Sequence, residues 1–497
     1  MMDGRGKSDG PIVPTKSSNN ATAVAAERME GRGSTKGNAV EQNVLRTQSR
    51  AGTTSALERV RKAAIRNRKM KFTALFHHVS VDLLRLSFFA LRRKASAGVD
   101  GVTWEQYREG LEHRLVDLHG RLHRGAYRAS PARRVFIPKA NGQERPLGIA
   151  TLEDKIVQGA VVRVLNEVYE VDFLGFSYGF RPGRGQHDAL DALSVGILRR
   201  KVNWVLDADI RGFFDTIDHG WLRRFLEHRI ADGRIVRLIL KWLRAGVLHE
   251  GAKTVGKMGT PQGATVSPVL ANIYLHYVFD LWVEQWRRKH ARGEVIVVRY
   301  ADDIVLGFER EADARRFRSE LEQRLRGFGL ELHPDKTRLL RFGRFAARDA
   351  AVRGEGAPAT FSFLGFAYIC AKTKRGRFLL VRWTEKTRLR ATLRDLRKRL
   401  LQQRHLPIPV QGAWLRRVVQ GYFNYYAVPT NVRRLGVFRT QLIRAWLHAL
   451  RRRSQRHRMT WKRMAALAAR WLPGPRILHP WPEIRFDAKT RGRSPVR

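Results

Sequence analysis

Two runs of apolar, mostly β-branched residues enclose a pair of adjacent aspartates in the segment EVIVVRYADDIVLGF, residues 294–308. The runs cover residues 295–298 and 304–306, and they predict two buried strands joined by a hairpin tip. The tip carries Asp302 and Asp303 side by side. At about 4 Å and an effective dielectric constant of about 20, two such charges repel by about 4 kcal/mol. The pair therefore indicates either a solvated turn, where Asp is common, or a site that attracts positive charge.

The overall charge narrows the class of partner. The chain has 497 residues, with 95 Lys and Arg against 45 Asp and Glu, and a formal net charge of +50. Such an excess predicts a polyanionic partner, because neutralising phosphates releases counterions, and a nucleic acid fits this better than a membrane. The longest apolar stretches, such as residues 361–371, fall short of the roughly 20 residues that a membrane helix needs.

Cysteine content and the N-terminus indicate the compartment. The single cysteine, Cys370, excludes an internal disulfide and a zinc site built from cysteine pairs, and we expect it to be a buried small apolar residue. The N-terminus lacks the apolar core of a signal peptide. Both features predict a cytosolic protein.

Composition shifts along the chain predict several parts. Residues 1–55 are rich in Gly, Ser, Asn, Thr and Ala, and we expect a disordered leader there. Between residues 56 and 383, strand patterns alternate with longer helical patterns, which predicts an α+β fold. The predicted strands cover residues 134–138, 204–209, 295–300, 304–308 and 361–369.

Beyond residue 383 the pattern is helical with a basic outer face. Two apolar stripes at helical spacing are typical of helix-bundle core: Leu389, Leu393, Leu396 and Leu400, and then Leu435, Phe438, Leu442, Trp446 and Leu450. Arginines on the other faces have few acids to balance them, which favours a nucleic-acid backbone as the partner. We assign residues 384–454 to a small helical domain and residues 455–497 to a basic C-terminal segment that binds nucleic acid.

A second acidic element lies in NWVLDADIRGFFDTIDHGWL, residues 203–222. A predicted strand there carries Asp207 and Asp209, two residues apart and so on the same side. Such a strand beside a hairpin tip with two aspartates suits a pair of divalent cations, since Mg²⁺ takes oxygen ligands and two ions can clamp a transferring phosphoryl group. Asp218, just before a helical run, is expected to be a helix cap.

From about residue 70 to the end, the order of segments resembles a group II intron-encoded reverse transcriptase, also called a maturase. The matching segments are FIPKANGQERPLGIATLEDKIVQGAVVRVL, SYGFRPGRGQHDAL, DADIRGFFDTIDH, GTPQGATVSPVLANIYL, RYADDIVLGF, HPDKTRLLRF, FSFLGF and VQGYFNYYAVPTN. The resemblance implies a right-hand polymerase, with fingers and a palm containing an antiparallel sheet in residues 56–383, followed by the α-helical thumb or maturase domain.

The resemblance also implies roles for individual residues. Asp209, Asp302 and Asp303 match the catalytic carboxylates that bind two Mg²⁺ ions. Phe214 matches an aromatic under the incoming sugar that would clash with a 2′-hydroxyl, unless it is simply core. The remaining matches are Lys139 and Arg145 for the triphosphate, which could instead be surface cations, Gln262 for nucleotide or template, Gly263 beside it, and Lys336 with a less defined role.

The implied activity is RNA-directed DNA synthesis from dNTPs on a DNA primer, together with binding of the group II intron RNA to assist its splicing. Tyr422, Phe423, Tyr425 and Tyr426 offer rings for stacking on bases, although some must be helix core. Neither cysteine pairs nor room for a nuclease domain follow, so we expect the subgroup without an endonuclease, whose DNA primer comes from elsewhere, such as a replication fork. We expect a bacterial, cytoplasmic protein.

Two alternatives compete with this interpretation. The first is a polymerase-inactive, RNA-binding splicing cofactor, for which three carboxylates facing phosphates would have no use. The second is a reverse transcriptase recruited to host defence or to a retron, against which the GYFNYYAVPTN block argues.

Overall fold

The computed structural model describes residues 43–138, 144–249, 252–254, 258–453 and 459–490. Helices and mainly antiparallel sheets are mixed along the chain, as the predicted α+β class requires. The helices are α1 (Asn43–Arg66), α2 (Val81–Ala90), α3 (Trp104–Arg108), α4 (Leu111–His123), α5 (Leu152–Asp172), α6 (Gln186–Arg199), α7 (Phe213–Thr216), α8 (His219–Glu227), α9 (Gly233–Arg244), α10 (Ser267–Leu275), α11 (Leu281–Lys289), α12 (Glu311–Arg326), α13 (Ala346–Val352), α14 (Lys386–Gln402), α15 (Ile408–Tyr426), α16 (Val432–Arg451), α17 (Trp461–Trp471) and α18 (Pro482–Thr490).

The strands form three sheets. A short 3₁₀ turn (Phe76–His78) and a π-helical turn (His276–Asp280) complete the regular structure. The strands are β1 (Ala132–Pro138), β2 (Glu144–Ile149), β3 (Trp204–Asp209), β4 (Val247–His249), β5 (Ala252–Thr254), β6 (Val295–Tyr300), β7 (Asp303–Phe308), β8 (Arg338–Arg341), β9 (Phe361–Phe363), β10 (Phe366–Lys372) and β11 (Phe378–Thr384).

The central sheet has the strand order β6-β7-β3-β8, and all its pairs are antiparallel. Successive residues of each strand face opposite sides, so Leu206 and Leu306 join one hydrophobic core while Val205 and Val305 join another. Helix α12 packs against β3 and helix α6 against β6. Burial on both faces explains the nearly continuous apolar runs in the sequence. The strands predicted at 204–209 and 295–300 are confirmed, and β7 begins one residue before the predicted 304.

The other seven described strands form two smaller sheets. Strands β2, β1, β4 and β5 form one sheet, in which β1 and β2 are an antiparallel hairpin and β1 pairs in parallel with β4. The other sheet has the order β11-β10-β9.

The single strand predicted over residues 361–369 is wrong, because the chain reverses within it. Leu364 and Gly365 both have positive φ, 48° and 79°, and Phe363 pairs with Phe366 across this two-residue loop. Positive φ at both central residues is the geometry of a tight turn between antiparallel strands. Strands β9 and β10 are therefore a hairpin.

The helices after residue 383 pack as predicted. All members of both apolar stripes are buried, and α14 packs along α16. Arg390, Arg394, Arg397 and Lys398 lie exposed on the outer side of α14. Helix α17 packs on α15 and α16, and helix α18 packs on α6.

Two predicted boundaries lie near the ends of the chain: the end of the leader at residue 55 and the start of the C-terminal segment at residue 455. Helix α1 begins at Asn43, inside the stretch expected to be a leader, and residues 1–42 lie outside the described part. Met464 and Phe486, from the C-terminal segment, join the same hydrophobic core as α14–α16. Within the described residues, none of the helices is long and apolar enough to cross a membrane.

Candidate active site

The antiparallel register of β3 and β7 brings together the two acidic elements. Asp209 at the end of β3 is paired directly with Asp303 at the start of β7, and Asp302 precedes it in the turn after β6. Paired residues on antiparallel strands have Cβ atoms about 4.5–5.5 Å apart, and like charges in such a pair are destabilising. The structure thus places all three predicted carboxylates at one end of the central sheet.

Cations surround this acidic end. Lys336, in the loop before β8, places its Nζ 2.6 Å from Oδ2 of Asp209. Arg338 forms a longer ion pair, 3.3 Å, with Asp207 on the same strand. The positive charges of Arg145 and Arg388 act on Asp302 and Asp303, respectively. Positive charge therefore reaches the site from β2, from the β8 region and from the C-terminal helices.

The surroundings favour the protonated forms of the two turn carboxyls. Asp303 is exposed, but nearby protein atoms partly withdraw its carboxyl from water, and this desolvation, followed by the charges of Asp302 and Asp209, raises its pKa to about 7. The pKa of Asp302 is also raised, first by burial and then by Asp209. Two carboxyls that resist ionisation side by side are stabilised in their charged form by a bound cation.

The three carboxylates have the chemistry that a divalent metal ion needs, although their oxygens do not converge on one point. Carboxylate oxygens are the preferred ligands of Mg²⁺. Within the described part of the chain, no three His, Cys, Asp or Glu side chains converge closely enough to hold a metal ion. The ammonium of Lys336 lies on the Asp209 oxygen instead. The metal ion would suit this place in two respects: the side chains are carboxylates, and the backbone brings them to the same end of the sheet. The residues are Asp209, Asp302 and Asp303.

The PQG segment, defined here as residues 260–263, lies against β2. The backbone N–H of Gly148 donates to the carbonyl of Gln262 at 2.7 Å, and Gly263 follows with φ of 104°. A Cβ on Gly263 would lie 3.0 Å from the carbonyl oxygen of Gly148, so a glycine permits this close approach. Arg145 is exposed on the same strand, β2, and Lys139 lies outside the described residues.

Two further predicted residues flank the same segment. Phe214 is half-buried in the short helix α7, and its carbonyl accepts a 2.7 Å hydrogen bond from the N–H of Thr260. The side-chain amide of Gln262 lies 3.3 Å from Asp215 in α7. The PQG segment therefore joins α7 to β2.

Two other predictions have clear outcomes. Asp218 caps α8 as expected, because its carboxylate accepts a 2.7 Å hydrogen bond from the N–H of Trp221. Cys370 is only half-buried, and burial raises the pKa of its thiol to about 11.

The aromatic block in α15 is not available for stacking on bases. Its four rings are at most 9% exposed, and Tyr422 stacks on Phe438 of α16 with ring centroids 3.7 Å apart. The expectation that some of these rings are helix core is confirmed and extends to all four, so they do not supply the stacking surface that their composition offered: Tyr422, Phe423, Tyr425 and Tyr426.

One residue of the site was overlooked in the sequence. Arg299 ends a strongly apolar run just before the turn, and it is completely buried with an ion pair to Asp280. The signal was present, because an arginine in a buried strand needs an acidic partner.

Comparison with known proteins identifies the family. Residues 137–368 match the family model described as reverse transcriptase (RNA-dependent DNA polymerase). Protein YkfC of Escherichia coli is 35% identical over 274 residues, which cover 49% of this chain and 71% of YkfC.

Two relatives come from introns. The group II intron-encoded protein LtrA of Lactococcus lactis is 35% identical over 242 residues, which are 48% of this chain and 40% of LtrA. The putative COX1/OXI3 intron 1 protein of Saccharomyces cerevisiae is 26% identical over 425 residues, covering 72% of this chain and 50% of the relative. The chain thus spans about half or less of these two proteins.

The matched region contains the whole central sheet, including its acidic end. It also contains β2, β4, β5 and β9, together with parts of β1 and β10. A reverse transcriptase domain implies the right-hand polymerase fold and dependence on a divalent metal ion, and the mixture of helices with antiparallel sheets agrees with that fold. The chain belongs to the group II intron-encoded reverse transcriptases and maturases, a family of RNA-directed DNA polymerases.

Proposed function

We propose that this chain copies intron RNA into DNA by nucleotidyl transfer with two Mg²⁺ ions, and that it assists the splicing of the same RNA. The observation that carries the polymerase part is the direct pairing of Asp209 with Asp303 beside Asp302. Three carboxylates at one sheet end, ringed by cations, suit a site that receives metal ions and phosphates together.

In this proposal Asp209, Asp302 and Asp303 hold the metal ions. When bound, the two ions supply charge stabilisation at the attacking and leaving oxygens of the displacement. A bond forms between the primer 3′-oxygen and the α-phosphorus of the dNTP, and the bond to pyrophosphate breaks. No protein nucleophile is required, so the chain contributes positioning and electrostatics.

We assign the nucleotide contacts from the resemblance of the motifs to those of the family. Arg145 on β2 and Lys139, which precedes that strand, are assigned to the triphosphate, for which a guanidinium fork and an ammonium are suited. Phe214 lies under the sugar, and Gln262 contacts the nucleotide or the template. Lys336 is assigned to the metal site, because its ammonium already neutralises Asp209.

The domain assignment is part of the same proposal. Residues 56–383 form the fingers and palm, residues 384–454 the thumb or maturase domain, and residues 455–497 a basic segment that binds nucleic acid. Support comes from the exposed cations along α14, which form a surface suited to a phosphate backbone. The proposed partners are the group II intron RNA and a DNA primer.

Primer extension by the purified chain tests the proposal. We expect DNA synthesis from dNTPs on an RNA template in the presence of Mg²⁺, its loss on chelation, and its return when Mg²⁺ is restored in excess. A control reaction without the RNA template must give no product. If well-folded, RNA-binding protein makes no DNA under these conditions, the splicing-cofactor alternative replaces the polymerase.

A further inference from the structure

The turn that carries the paired aspartates, residues 300–303 and called here the catalytic turn, is held from behind by Arg299. This side chain has no exposed surface, and all five of its N–H groups have acceptors. Two of them form a bidentate pair with Asp280: Nε donates to Oδ1 at 2.7 Å, and Nη2 donates to Oδ2 at 2.6 Å. The other three donate to Ser177 Oγ, Asn272 Oδ1 and the carbonyl of Ala301, at 2.7, 3.0 and 3.0 Å.

The acceptors of Arg299 come from distant parts of the chain. Asp280 ends the π-helical turn between α10 and α11, and Asn272 lies in α10. Both are completely or almost completely buried. A π-helical turn shifts the following side chains relative to a regular helix, and such turns are frequent at functional sites. Rigid helices behind the sheet are thereby coupled to one backbone carbonyl of the catalytic turn.

That carbonyl belongs to the peptide immediately before Asp302. Ala301 has φ of 56°, a left-handed conformation that non-glycine residues seldom adopt. Gly179 packs so closely behind it that a Cβ there would lie 2.3 Å from the nitrogen of Ala301. Asn272 also fixes this contact, because its amide donates to the carbonyl of Gly179 at 2.7 Å. The orientation of the peptide sets the direction in which the Asp302 carboxylate leaves the backbone.

We infer that Arg299 is a positioning residue, which fixes the Ala301 carbonyl and so aims the Asp302 carboxylate at the metal ion. The inference rests on the proposed polymerase function. Arg299 lies on the opposite face of the sheet from Asp303, because Tyr300 is the residue paired with Asp303 and Arg299 is paired with Ile304. Its effect passes only through the backbone of the turn.

The test replaces Arg299 with lysine, which keeps the positive charge beside Asp280. Lysine has only three N–H donors on one nitrogen, so it cannot form the five hydrogen bonds of the planar guanidinium. Since a displacement of about 1 Å can cost about a hundredfold in rate, we expect kcat for dNTP incorporation to fall at least about tenfold. The KM for dNTP should change less than about threefold, because nucleotide contacts lie elsewhere. Mn²⁺ bound by the protein, counted by electron paramagnetic resonance with Asp302→Asn as the blank, should fall clearly below the native level.

A matched control separates positioning from stability. Arg229 is equally buried and forms a 2.8 Å ion pair with Asp172, but it donates to the carbonyl of Met70 and not to the catalytic turn. Arg229→Lys should lose a similar amount of thermal stability and keep native kcat and Mn²⁺ binding. If Arg299→Lys cannot be folded, Asn272→Ala, which leaves the ion pair intact, takes its place with the same expected losses.

The outcomes distinguish the inference from the function on which it rests. Native activity with unchanged kcat and Mn²⁺ binding in Arg299→Lys would overturn the positioning role alone, as would equal losses in Arg229→Lys. An inactive native protein would overturn the polymerase proposal. In that case Mn²⁺ binding tests the positioning role of Arg299, because equal binding by the native and Arg299→Lys proteins would refute that role.

Discussion

The ring of Phe214 is the proposed discriminator between deoxyribonucleotides and ribonucleotides. Its backbone is tied to the PQG segment by Thr260, so the ring has a defined place beside the proposed nucleotide site. Phe214→Val should lower the preference for dNTPs over NTPs by about ten- to a hundredfold, because the barrier to a 2′-hydroxyl is steric. Single-nucleotide incorporation kinetics measure this preference, and Phe214→Tyr, which keeps the ring, should retain it. Equal preference in the native and valine proteins would remove Phe214 from the site.

The acidic residues could be predicted from the sequence because two local patterns carry them. One pattern is an apolar strand that ends in Asp209, and the other is an apolar hairpin whose turn carries Asp302 and Asp303. Each pattern can be recognised within a short stretch of sequence. The partners of Arg299 could not be predicted, since Ser177 is 122 residues away along the chain and Asp280 is 19 residues away. Long-range pairing of this kind depends on the packed helices and not on any local period.

The PQG segment depends on Gly263. With φ of 104° and no room for a Cβ beside the Gly148 carbonyl, Gly263→Ala should destabilise the protein by about 1–3 kcal/mol and loosen the segment from β2. Urea denaturation measures the change in unfolding free energy. Gly356→Ala is the control, because Gly356 is exposed, has open space around its Cβ position and should change stability by less than about 0.5 kcal/mol. Equal stabilities of the two variants would contradict the strain argument.

Helix α18 joins the end of the described chain to α6 through a buried acid. Asp191 lies between Arg382 and Arg485, and its side chain is only 4% exposed. Asp191→Ala should cost about 3–5 kcal/mol, because it leaves buried guanidinium charge without a partner. Thermal denaturation tests this against Asp487→Ala, which breaks the exposed pair with Arg199 and should leave the melting temperature nearly unchanged. Comparable melting temperatures of the two variants would show that the buried pairs do not hold α18 in place.

Helical stripes were easier to predict than turns and exposure. Leu389 and Leu435 begin stripes whose 3.6-residue period alone marks a buried face, and both are buried. The turn at Leu364 and Gly365 was missed because one apolar run continues through it, and Leu is an unusual residue at positive φ. For the rings of α15 the sequence left open how many belong to the core, because aromatic composition does not tell a core from a stacking surface.

The charge of the whole molecule predicts how it binds RNA. With a net charge of +50 and exposed cations along α14, most of the affinity should come from phosphate contacts. If about 6–10 phosphates are contacted, affinity should fall by about 10³–10⁵ between about 50 and 200 mM salt for a duplex region. Filter binding across a KCl series gives the slope. Affinity that is nearly independent of salt would contradict a phosphate-dominated interface.

In the proposed function, the three carboxylates and the cations around them form a polymerase site at the end of the central sheet, and the basic helices bind RNA. The proposed polymerase site and the proposed RNA-binding surface use different residues. A change of one metal-binding carboxylate should therefore abolish synthesis without weakening the binding of RNA.

The most direct measurement compares primer extension on an RNA template by native protein, Asp302→Asn and Asp117→Asn, with RNA affinity determined for each. Asp117 is an exposed acid of α4, paired with Arg121 and remote from the catalytic turn in sequence. We expect native synthesis in the Asp117 variant, a loss of at least about a hundredfold in the Asp302 variant, and equal RNA binding by all three. Undiminished synthesis by a folded Asp302→Asn protein would contradict the claim that the paired aspartates hold the catalytic metal.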